Sequence, residues 1–382
     1  MNFIVIGAGL AGAACAYALA ARGSTVTVLS QGGGASELPV GLLAAHLSSH
    51  DIELSQLSRI GVSKTLLHAR ALLREGIDWQ SCILEQKLLF HPEKNARLSQ
   101  GACLLPNWYA SREAQVLHKQ AAWLKPKALV NAWLAQPSIT AQTASVAALS
   151  RDNHEWQALN PQGALIAQAP SIVLAGGSQV AQLLAQCGHA MLMDMVPGSV
   201  ALGAWSSPAT PNEPAHVVNG NGHFIGGVHS ESGSALWLSG STYEREAHET
   251  TLLQAQASLQ ANLARLSNLL PPALLPAIQA QFASGNVQSW QGSRCTTSDR
   301  LPIVGKLQEG LYVCTAMGSR GLSFAALCAD ILAREMVPCS LPSSAASLNL
   351  AIEMLPLSTA LRELLRPDRP ALRVQPQTLR SS

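Results

Sequence analysis

Residues 1–30, MNFIVIGAGLAGAACAYALAARGSTVTVLS, decide how the rest of the chain is interpreted. No charged side chain occurs in residues 1–21, so this stretch invites comparison with an export signal or a membrane anchor. A secretory signal begins with a positively charged segment, whereas only Met1 and Asn2 precede the apolar residues here. A membrane-spanning helix seldom carries three glycines within six positions, as Gly7, Gly9 and Gly12 do. The alternative is the first turn of a nucleotide-binding domain.

That alternative agrees with the order of elements in the same stretch. Asn2–Ile6 is mostly apolar and contains β-branched residues, which predicts a short buried strand. The GxGxxG motif of residues 7–12 then permits a tight turn, a close approach of a pyrophosphate and packing of a helix on the strand. We predict that helix from about Leu10 to Ala21, and a second strand from Thr25 to Leu29. The stretch therefore predicts dinucleotide binding at a helix N-terminus, with a signal or membrane segment as the alternative.

The end of the second predicted strand departs from the usual pattern. An acidic side chain commonly stands there and accepts hydrogen bonds from the ribose hydroxyls, but this chain has Ser30. A serine bonds one hydroxyl without the charge-assisted strength of a carboxylate. Two interpretations stay open: Ser30 contacts the ribose, or it faces solvent and has no role.

Composition sets limits on the class of protein. The 382 residues are 48% hydrophobic and 13% charged, which describes a folded chain long enough for two domains. A net charge of +2 is too small to indicate a nucleic-acid-binding protein by itself. The eight cysteines form no CxxC pair, which argues against a zinc site or disulfide scaffold and is typical of a reducing cytosol. We expect a cytoplasmic protein that binds neither a metal nor a membrane.

The remainder of the chain alternates between helical and strand-rich blocks. The segment PSIVLAGG (170–177) predicts a buried strand that ends at Gly176 and Gly177, which suggests a return to the nucleotide-binding domain. The predicted blocks are a helix within 51–79 that stops near Gly76, strands and turns over 82–120, a helix within 123–136, hairpins over 196–245, helices over 246–284 and a tail from 346.

A second glycine-rich strand-to-helix junction lies near the C-terminus. GLYVCTA (310–316) predicts a buried strand, and GSRG (318–321) opens a helix. Such a junction presents free N–H groups and the positive end of the helix dipole, which favours an anion. Two such junctions suit a flavin dinucleotide, which has a pyrophosphate at one end and an isoalloxazine that is negative when reduced at the other.

The motifs together resemble a known family. GAGLAGAACAYALAARG, GGGAS…GLLAAHLS and IVLAGG are similar to the glycine-oxidase and D-amino-acid-oxidase class of FAD enzymes. GSRCTTSDRLPIVG, GLYVCTAMGSRGLS, and MVPGSVALG before GNGHFIGGVHS more closely resemble the FAD oxidoreductase domain of the MnmC family, which processes the tRNA wobble uridine. The resemblance extends to about residue 336 and fits poorly beyond it.

This resemblance implies a fold and a division into domains. The expected class is α/β, α+β overall, with a Rossmann-like FAD-binding domain and an inserted mixed-sheet substrate domain, as in glycine oxidase. The FAD-binding domain is expected at 1–80, 140–195 and 288–337, the substrate domain at 81–139 and 196–287, and a C-terminal tail at 338–382.

The resemblance also implies the residues that contact FAD. Some sarcosine-oxidase relatives attach FAD through a cysteine, but the matching position here is Gly292, so Cys295 is expected to be a buried small residue and FAD to be noncovalent. The expected cofactor contacts are Gly7, Ala8, Gly9, Leu10, Ala11, Gly12, Ser30, Ser36, Leu42, Val146, Ala175, Gly176, Gly177, Gly318, Ser319, Arg320, Gly321 and Leu322.

Two arginines are the expected catalytic residues. Arg294 occupies the place where enzymes of this class bind the substrate carboxylate, and its planar fork of donors suits that group. Arg320 opens the C-terminal helix and is expected to stabilise the negative charge of the reduced flavin. The alternative for Arg294 is an ion pair with Asp299 or a solvated surface arginine, and the alternative for Arg320 is a structural pairing with Asp299. Asp299 and Arg300 are another candidate for that internal pair, with no catalytic role expected. His223 and His229 are weaker candidates for the flavin face.

The implied reaction removes the carboxymethyl group of carboxymethylaminomethyluridine as glyoxylate and leaves the aminomethyl nucleoside. The implied partners are tRNA and a separate methyltransferase acting in trans. The arginines of the tail (362, 366, 369, 373 and 380) are either a contact for tRNA phosphates or simply solvated. The alternative functions are a small-molecule amino-acid or amine oxidase or dehydrogenase, and a scaffold that has lost productive FAD binding.

Overall fold

The computed structural model describes residues 1–177, 179–205, 216–229, 233–242, 252–338 and 357–372. The strands in these residues are β1 (Asn2–Ile6), β2 (Thr25–Ser30), β3 (Gly41–Leu43), β4 (Trp79–Lys87), β5 (Tyr109–Arg112), β6 (Gln115–Leu124), β7 (Ile139–Thr143), β8 (Ala148–Asp152), β9 (Glu155–Leu159), β10 (Leu165–Ala169), β11 (Ser171–Leu174), β12 (Asp194–Ala204), β13 (His216–Gly220), β14 (Gly222–His229), β15 (Ala235–Gly240), β16 (Gln288–Thr296), β17 (Ile303–Gln308) and β18 (Leu311–Thr315). The α-helices are α1 (Leu10–Ala20), α2 (Glu53–Leu72), α3 (Pro92–Cys103), α4 (Pro126–Leu134), α5 (Gln179–Gln186), α6 (Leu252–Leu269), α7 (Leu275–Ala283), α8 (Gly321–Met336) and α9 (Thr359–Glu363).

A six-stranded sheet carries the glycine-rich junctions. Its order is β17-β18-β11-β1-β2-β7, with all neighbours parallel except β17 and β18. The central strands are fully buried at Val5, Val28 and Val173, as expected for a parallel sheet covered on both faces. Helix α1 packs against α8, and alanines on α1 allow the close approach. The predicted α/β class with a Rossmann-like sheet is confirmed.

The other face of this sheet is covered by a three-stranded antiparallel sheet, in the order β10-β9-β8, and by α5. Their shared core contains Ile172, Leu174, Val180 and Trp156. The indole N–H of Trp156 donates to the Glu309 carbonyl at 3.0 Å, so this buried polar group is satisfied.

A second sheet of nine strands is mixed. Its order is β16-β12-β15-β14-β13-β4-β6-β3, with β5 paired to β6, and β13 runs parallel to β4. One face packs a core around Trp123 and Ile225. In a separate core, Leu266 of α6 and Ile278 of α7 pack in one cluster with Trp237.

The described chain divides into two compact units. The first consists of residues 1–34, 130–195 and the described residues from 294 on, and the second of 35–129 and the described residues of 196–293. The domain boundaries predicted from sequence place 35–80 with the nucleotide-binding segments, whereas these residues belong to the second unit. They do so because β3 pairs with β6 and α2 packs on β6.

Three local predictions need correction. The helix predicted within 51–79 ends at Leu72, because Leu73 is extended, and strand β4 begins at Trp79. Residues 82–120 contain helix α3, which was not predicted; Pro92 stands in its first turn and the His91 ring accepts from the Lys94 N–H at 3.4 Å. In the predicted tail, residues 357–372 are packed against the first unit and bury Leu361, Leu365, Leu372 and Arg369.

The helix in the opening stretch, α1, has only 11 residues, which is too short to span a membrane. Across the described residues, every helix is too short or too polar to cross a bilayer.

Candidate functional site

The predicted cofactor residues of the first unit gather at one edge of the parallel sheet. The turn of residues 7–12 follows β1, residues 175–177 follow β11, and residues 318–322 follow β18. Because β18, β11 and β1 are neighbours and parallel, these three segments meet at the carboxyl ends of the strands. This is where open α/β sheets bind their ligands.

Glycine is required at the first of these turns. Gly7 has a φ of +109°, and a β-carbon there would lie 2.5 Å from the Cα of Gly176. The Ala175 N–H also donates to the Ile6 carbonyl at 2.8 Å, which joins the two strand ends. Two main chains therefore pack directly on each other and leave the edge free of side chains at this point.

Two helix N-termini also meet at this edge. A β-carbon on Gly321, the first residue of α8, would lie 3.2 Å from Leu10 Cδ1, the first residue of α1. In the described part of the chain, no side chain caps either helix and no acidic residue stands in either first turn. Both helices therefore direct N–H groups and the positive ends of their dipoles toward this edge, where negative groups are favoured.

Ser30 ends β2 at the same edge and is half-buried. Its hydroxyl accepts from the Gly32 N–H at 3.1 Å, so it closes the turn of glycines that follows. Beside it, Gln179 Nε2 donates to Gln31 Oε1 at 3.2 Å. Sequence reasoning did not identify this pair of amides, which offers neutral donors and acceptors where an acid is usual.

The other predicted cofactor contacts divide between the two units. Val146 follows β7 in the first unit and packs partly buried against its core. Ser36 lies in a short 3₁₀ turn, Ala35–Glu37, and Leu42 lies in β3; both residues belong to the second unit.

Arg294 lies near the end of β16 and contacts the C-terminal junction. Its Nη1 donates to Ser319 Oγ at 3.4 Å, and it is half-buried. Arg320 occupies the N-cap position of α8, where its side chain makes no capping hydrogen bond. Of the two predicted catalytic arginines, Arg320 therefore lies in the short segment 318–320, and Arg294 contacts that segment through Ser319.

Asp299 has a different ion-pair partner from those that the sequence suggested. Its carboxylate lies 2.7 Å from Nε of Arg369, not against Arg294, Arg320 or Arg300. Burial raises the pKa of Asp299, but hydrogen bonds from Arg369, the Leu301 N–H and Thr297 outweigh this and lower the pKa below its ordinary value. Asp299 is thus an ionised anchor for residues 357–372. Arg369 lies in a proline-rich, charged stretch of sequence, where nothing indicates that it is buried and paired with Asp299.

Cys295 is buried among apolar side chains, with its Sγ 3.8 Å from Met193 Sδ. Burial raises the pKa of its thiol to about 11, so it is a neutral thiol at physiological pH. At Gly292, the position that the family resemblance matches to a flavin-tethering cysteine, a β-carbon would overlap the Trp290 ring.

The two candidate histidines lie in the second unit, on β14. His223 is half-buried near the start of the strand, and His229 is exposed at its end with its carbonyl accepting from Lys125 Nζ at 3.0 Å. Among the described residues, no three His, Cys, Asp or Glu side chains lie close enough to hold a metal ion.

The first unit has the features that a flavin dinucleotide requires. The close approach of Gly7 and Gly176, which a β-carbon would block, forms a cradle beside the two uncapped helix N-termini. Arg294 and Arg320 lie at the C-terminal junction. The cradle suits a pyrophosphate, and the arginine-bearing junction suits the negative edge of a reduced isoalloxazine.

Comparison with known proteins identifies the family. Residues 2–335 match the family described as FAD dependent oxidoreductase (DAO). A protein named tRNA 5-methylaminomethyl-2-thiouridine biosynthesis bifunctional protein MnmC from Verminephrobacter eiseniae is 38% identical over 87% of this chain and 60% of its own length. Its namesake from Polaromonas naphthalenivorans is 39% identical over 87% of this chain and 56% of its own length. The chain thus spans less than two thirds of the length of these curated relatives.

Solved structures show the same fold. Glycine oxidase from Bacillus cereus superposes with a TM-score of 0.69 at 17% identity, over 91% of this chain and 97% of that one. Glycine oxidase from Geobacillus kaustophilus superposes with a TM-score of 0.66 at 19% identity, over 91% and 97%. The predicted likeness to glycine oxidase is confirmed at the level of fold.

Proposed function

Because this chain belongs to the DAO family of FAD-dependent oxidoreductases, we propose that it oxidises the carboxymethylaminomethyl group of a tRNA wobble uridine to the aminomethyl group. One observation carries the proposal. Over most of its length, this chain is 38% and 39% identical to two proteins named for the biosynthesis of a modified tRNA uridine. The tRNA is carried over from the names of these relatives, and the chemistry is what the resemblance of the sequence motifs implies.

The net conversion is balanced by water and by the cofactor. Bound FAD supplies the two-electron acceptor for the methylene beside the amine. The substrate loses the bond between nitrogen and that methylene, a water oxygen becomes the aldehyde oxygen of glyoxylate, and the nucleoside retains a primary amine. The chain itself has to hold the substrate carboxylate, keep the methylene at the flavin and favour negative charge on the reduced cofactor.

Arg294 is the proposed carboxylate-binding residue. A guanidinium offers two parallel N–H donors, which match a carboxylate in a way that a lysine does not. Its contact with Ser319 at 3.4 Å holds it beside the C-terminal junction. Arg320 and the N-terminus of α8 are the proposed source of positive potential for the reduced flavin. Cofactor binding is proposed to be noncovalent, because Cys295 is buried beside Met193.

We also propose where the reaction stands among related steps. Its product is a primary amine, so the reaction that consumes it is a methyl transfer to nitrogen, performed by a methyltransferase. A tRNA substrate places the enzyme in the cytoplasm. The seven cysteines within the described residues are free thiols, as is usual in that reducing compartment.

A second candidate function is oxidation of a small amino acid such as glycine, sarcosine or a D-amino acid. The observation that favours it is the combination of a glycine-oxidase fold with a net charge of only +2, which is small for a tRNA-binding enzyme. Arg294 would bind the carboxylate in either case.

The test is product analysis on tRNA that bears carboxymethylaminomethyluridine. Mass spectrometry of the digested nucleosides after reaction should show the aminomethyl nucleoside, with one glyoxylate released for each nucleoside converted. Unchanged tRNA, together with oxidation of free glycine or sarcosine, would favour the second candidate instead.

A further inference from the structure

Residues 357–372 are anchored to the first unit along their whole length. The Val304 N–H donates to the Leu365 carbonyl at 2.8 Å, and Ser298 Oγ donates to the Ala371 carbonyl at 3.4 Å. Leu361 and Leu372 are buried. The segment is therefore part of the packed structure, so its polar groups have specific partners.

Arg369 is the most buried charge in this segment, with 8% of its surface exposed. Its Nε and Nη2 donate to the two carboxylate oxygens of Asp299 at 2.7 and 3.1 Å. It also donates to the main-chain carbonyls of Leu301, at 2.8 Å, and Pro302, at 2.9 Å. Its Nη1 donates in addition to the Arg366 carbonyl at 3.2 Å. A lysine carries three donors at one point and does not reproduce this planar arrangement.

Asp299 transmits this anchor to the turn in which it lies. Its Oδ1 accepts from Thr297 Oγ1 at 2.7 Å and from the Leu301 N–H at 3.0 Å. The Arg300 N–H donates to the Thr297 carbonyl at 3.1 Å, and Arg300 has a φ of +62°. The turn of residues 297–301 is thus closed around a carboxylate that Arg369 neutralises.

The 297–301 turn directly follows the end of β16, and β16 carries Arg294. Thr296 Oγ1 lies 3.2 Å from the position of a β-carbon on Gly318, and Arg294 donates to Ser319. The Arg294–Ser319 hydrogen bond therefore ties the strand end to the C-terminal junction on one side, with Thr296 close beside Gly318, and the Asp299–Arg369 pair holds the adjoining turn on the other.

We propose that Arg369 is a positioning residue: through Asp299 and the 297–301 turn, it fixes the end of β16 so that Arg294 is held at the carboxylate of the substrate. The inference deepens the proposed function and rests on it for the role of Arg294. The C-terminal segment 357–372 thereby takes part in substrate binding, although it lies far from Arg294 in the sequence.

The test compares one substitution at two sites of the same segment. Arg369→Lys keeps the positive charge but loses the fork, whereas the control Arg366→Lys alters an exposed arginine whose partner is Asp368 at 2.9 Å. The first measurement is hydrogen exchange of the flavin-loaded protein. We expect Arg369→Lys, but not Arg366→Lys, to accelerate exchange about tenfold at residues 294–301 and at the Arg320 N–H, which donates to the Met317 carbonyl at 3.2 Å.

The second measurement is the Kd of glycolate, a small carboxylate, from the absorption change of the bound flavin. We expect about a tenfold higher Kd in Arg369→Lys, with FAD retained, and the wild-type value in Arg366→Lys. Asp299→Asn leaves the Arg369 bonds to the Leu301 and Pro302 carbonyls in place and must show the same pattern, which guards against a poorly folded Arg369→Lys protein.

Faster exchange confined to 357–372 and 299–302, with an unchanged glycolate Kd, would overturn the inference and leave Arg369 a purely structural anchor. An unchanged glycolate Kd in Arg294→Ala would overturn the inference as well, because it would show that Arg294 does not bind the carboxylate. Failure to act on tRNA, with the glycolate response of Arg369→Lys intact, would reject only the proposed tRNA substrate.

Discussion

Gly7 and Gly176 pack backbone to backbone at the ends of two neighbouring parallel strands, so that a β-carbon on Gly7 would lie 2.5 Å from the Gly176 Cα. The φ of +109° at Gly7 disfavours any other residue there. The contact leaves the edge of the sheet free of side chains between the two turns, where we propose that the FAD pyrophosphate binds. The first prediction follows from this contact.

Gly7→Ala should destabilise the protein by about 2 kcal/mol or more and should abolish FAD binding, because it adds both backbone strain and steric overlap. Flavin content after gel filtration and a denaturant titration measure the two effects. The control is Gly163→Ala, in the β9–β10 turn, where φ is +79° and the space around the glycine is open. It should cost about 1 kcal/mol and keep FAD. Equal flavin loss in both variants would contradict the assignment.

Ser30→Asp should bind FAD more tightly, with a Kd lower by about tenfold, because a carboxylate at the end of β2 supplies the charge-assisted bond to ribose hydroxyls that serine lacks. Titration of the apoprotein with FAD, followed by flavin fluorescence, gives the Kd. Thr25→Asp places the same charge at the opposite, exposed end of β2 and serves as the control. A Kd that does not fall in Ser30→Asp would mean that the ribose does not lie at this strand end.

Arg294→Ala should keep the yellow colour and the melting temperature but lose oxidation of a carboxylated substrate, with kcat/KM lower by 100-fold or more, on the order expected for a lost charged bond. Arg300→Asn is the matched control, because Arg300 is exposed and asparagine tolerates its φ of +62°. Steady-state kinetics on both variants decide the matter. Normal turnover in Arg294→Ala would show that another group binds the carboxylate.

His118 should make stability depend on pH. It is buried on β6, its Nε2 lies 2.8 Å from Gln86 Oε1, and burial, with a smaller effect of nearby His46, lowers its pKa to about 3. Its folded pKa lies below the unfolded value of about 6.5, so its contribution is complete above pH 6.5 and is lost as the pH falls toward 3.

The matching variant is His118→Gln, which does not take up that proton. Between pH 7 and pH 5 the free energy of unfolding should fall by about 2 kcal/mol less in His118→Gln than in the wild type. Urea titrations at the two pH values measure the difference. His154→Asn changes an exposed turn histidine and should show the wild-type fall. The same fall in His118→Gln would mean that His118 does not resist protonation in the folded state.

The sequence was most informative where local pattern and tertiary structure agree. Strand β1 and the start of α1 follow directly from apolar residues and the GxGxxG motif, and each matches the structure. Helix α3 escaped prediction because its apolar face is narrow: only Leu98, Gly101 and Ala102 are buried.

Long-range pairing was beyond sequence reasoning. Asp299 and Arg369 are 70 residues apart, and nothing in either neighbourhood indicates the other. The same holds for Gln31 and Gln179, which only the order of the parallel strands brings together. Arg294 beside Ser319 was foreseeable only through resemblance to a family, since periodicity and spacing do not indicate which strand end faces which helix.

The most direct test of the proposed function is anaerobic bleaching of the purified, FAD-loaded protein by tRNA that bears carboxymethylaminomethyluridine. Glycine, sarcosine and D-alanine are added in parallel samples. We predict that the tRNA alone bleaches the flavin and releases glyoxylate. Bleaching by a free amino acid, with the tRNA inert, would contradict the proposal and make this chain a small-molecule oxidase.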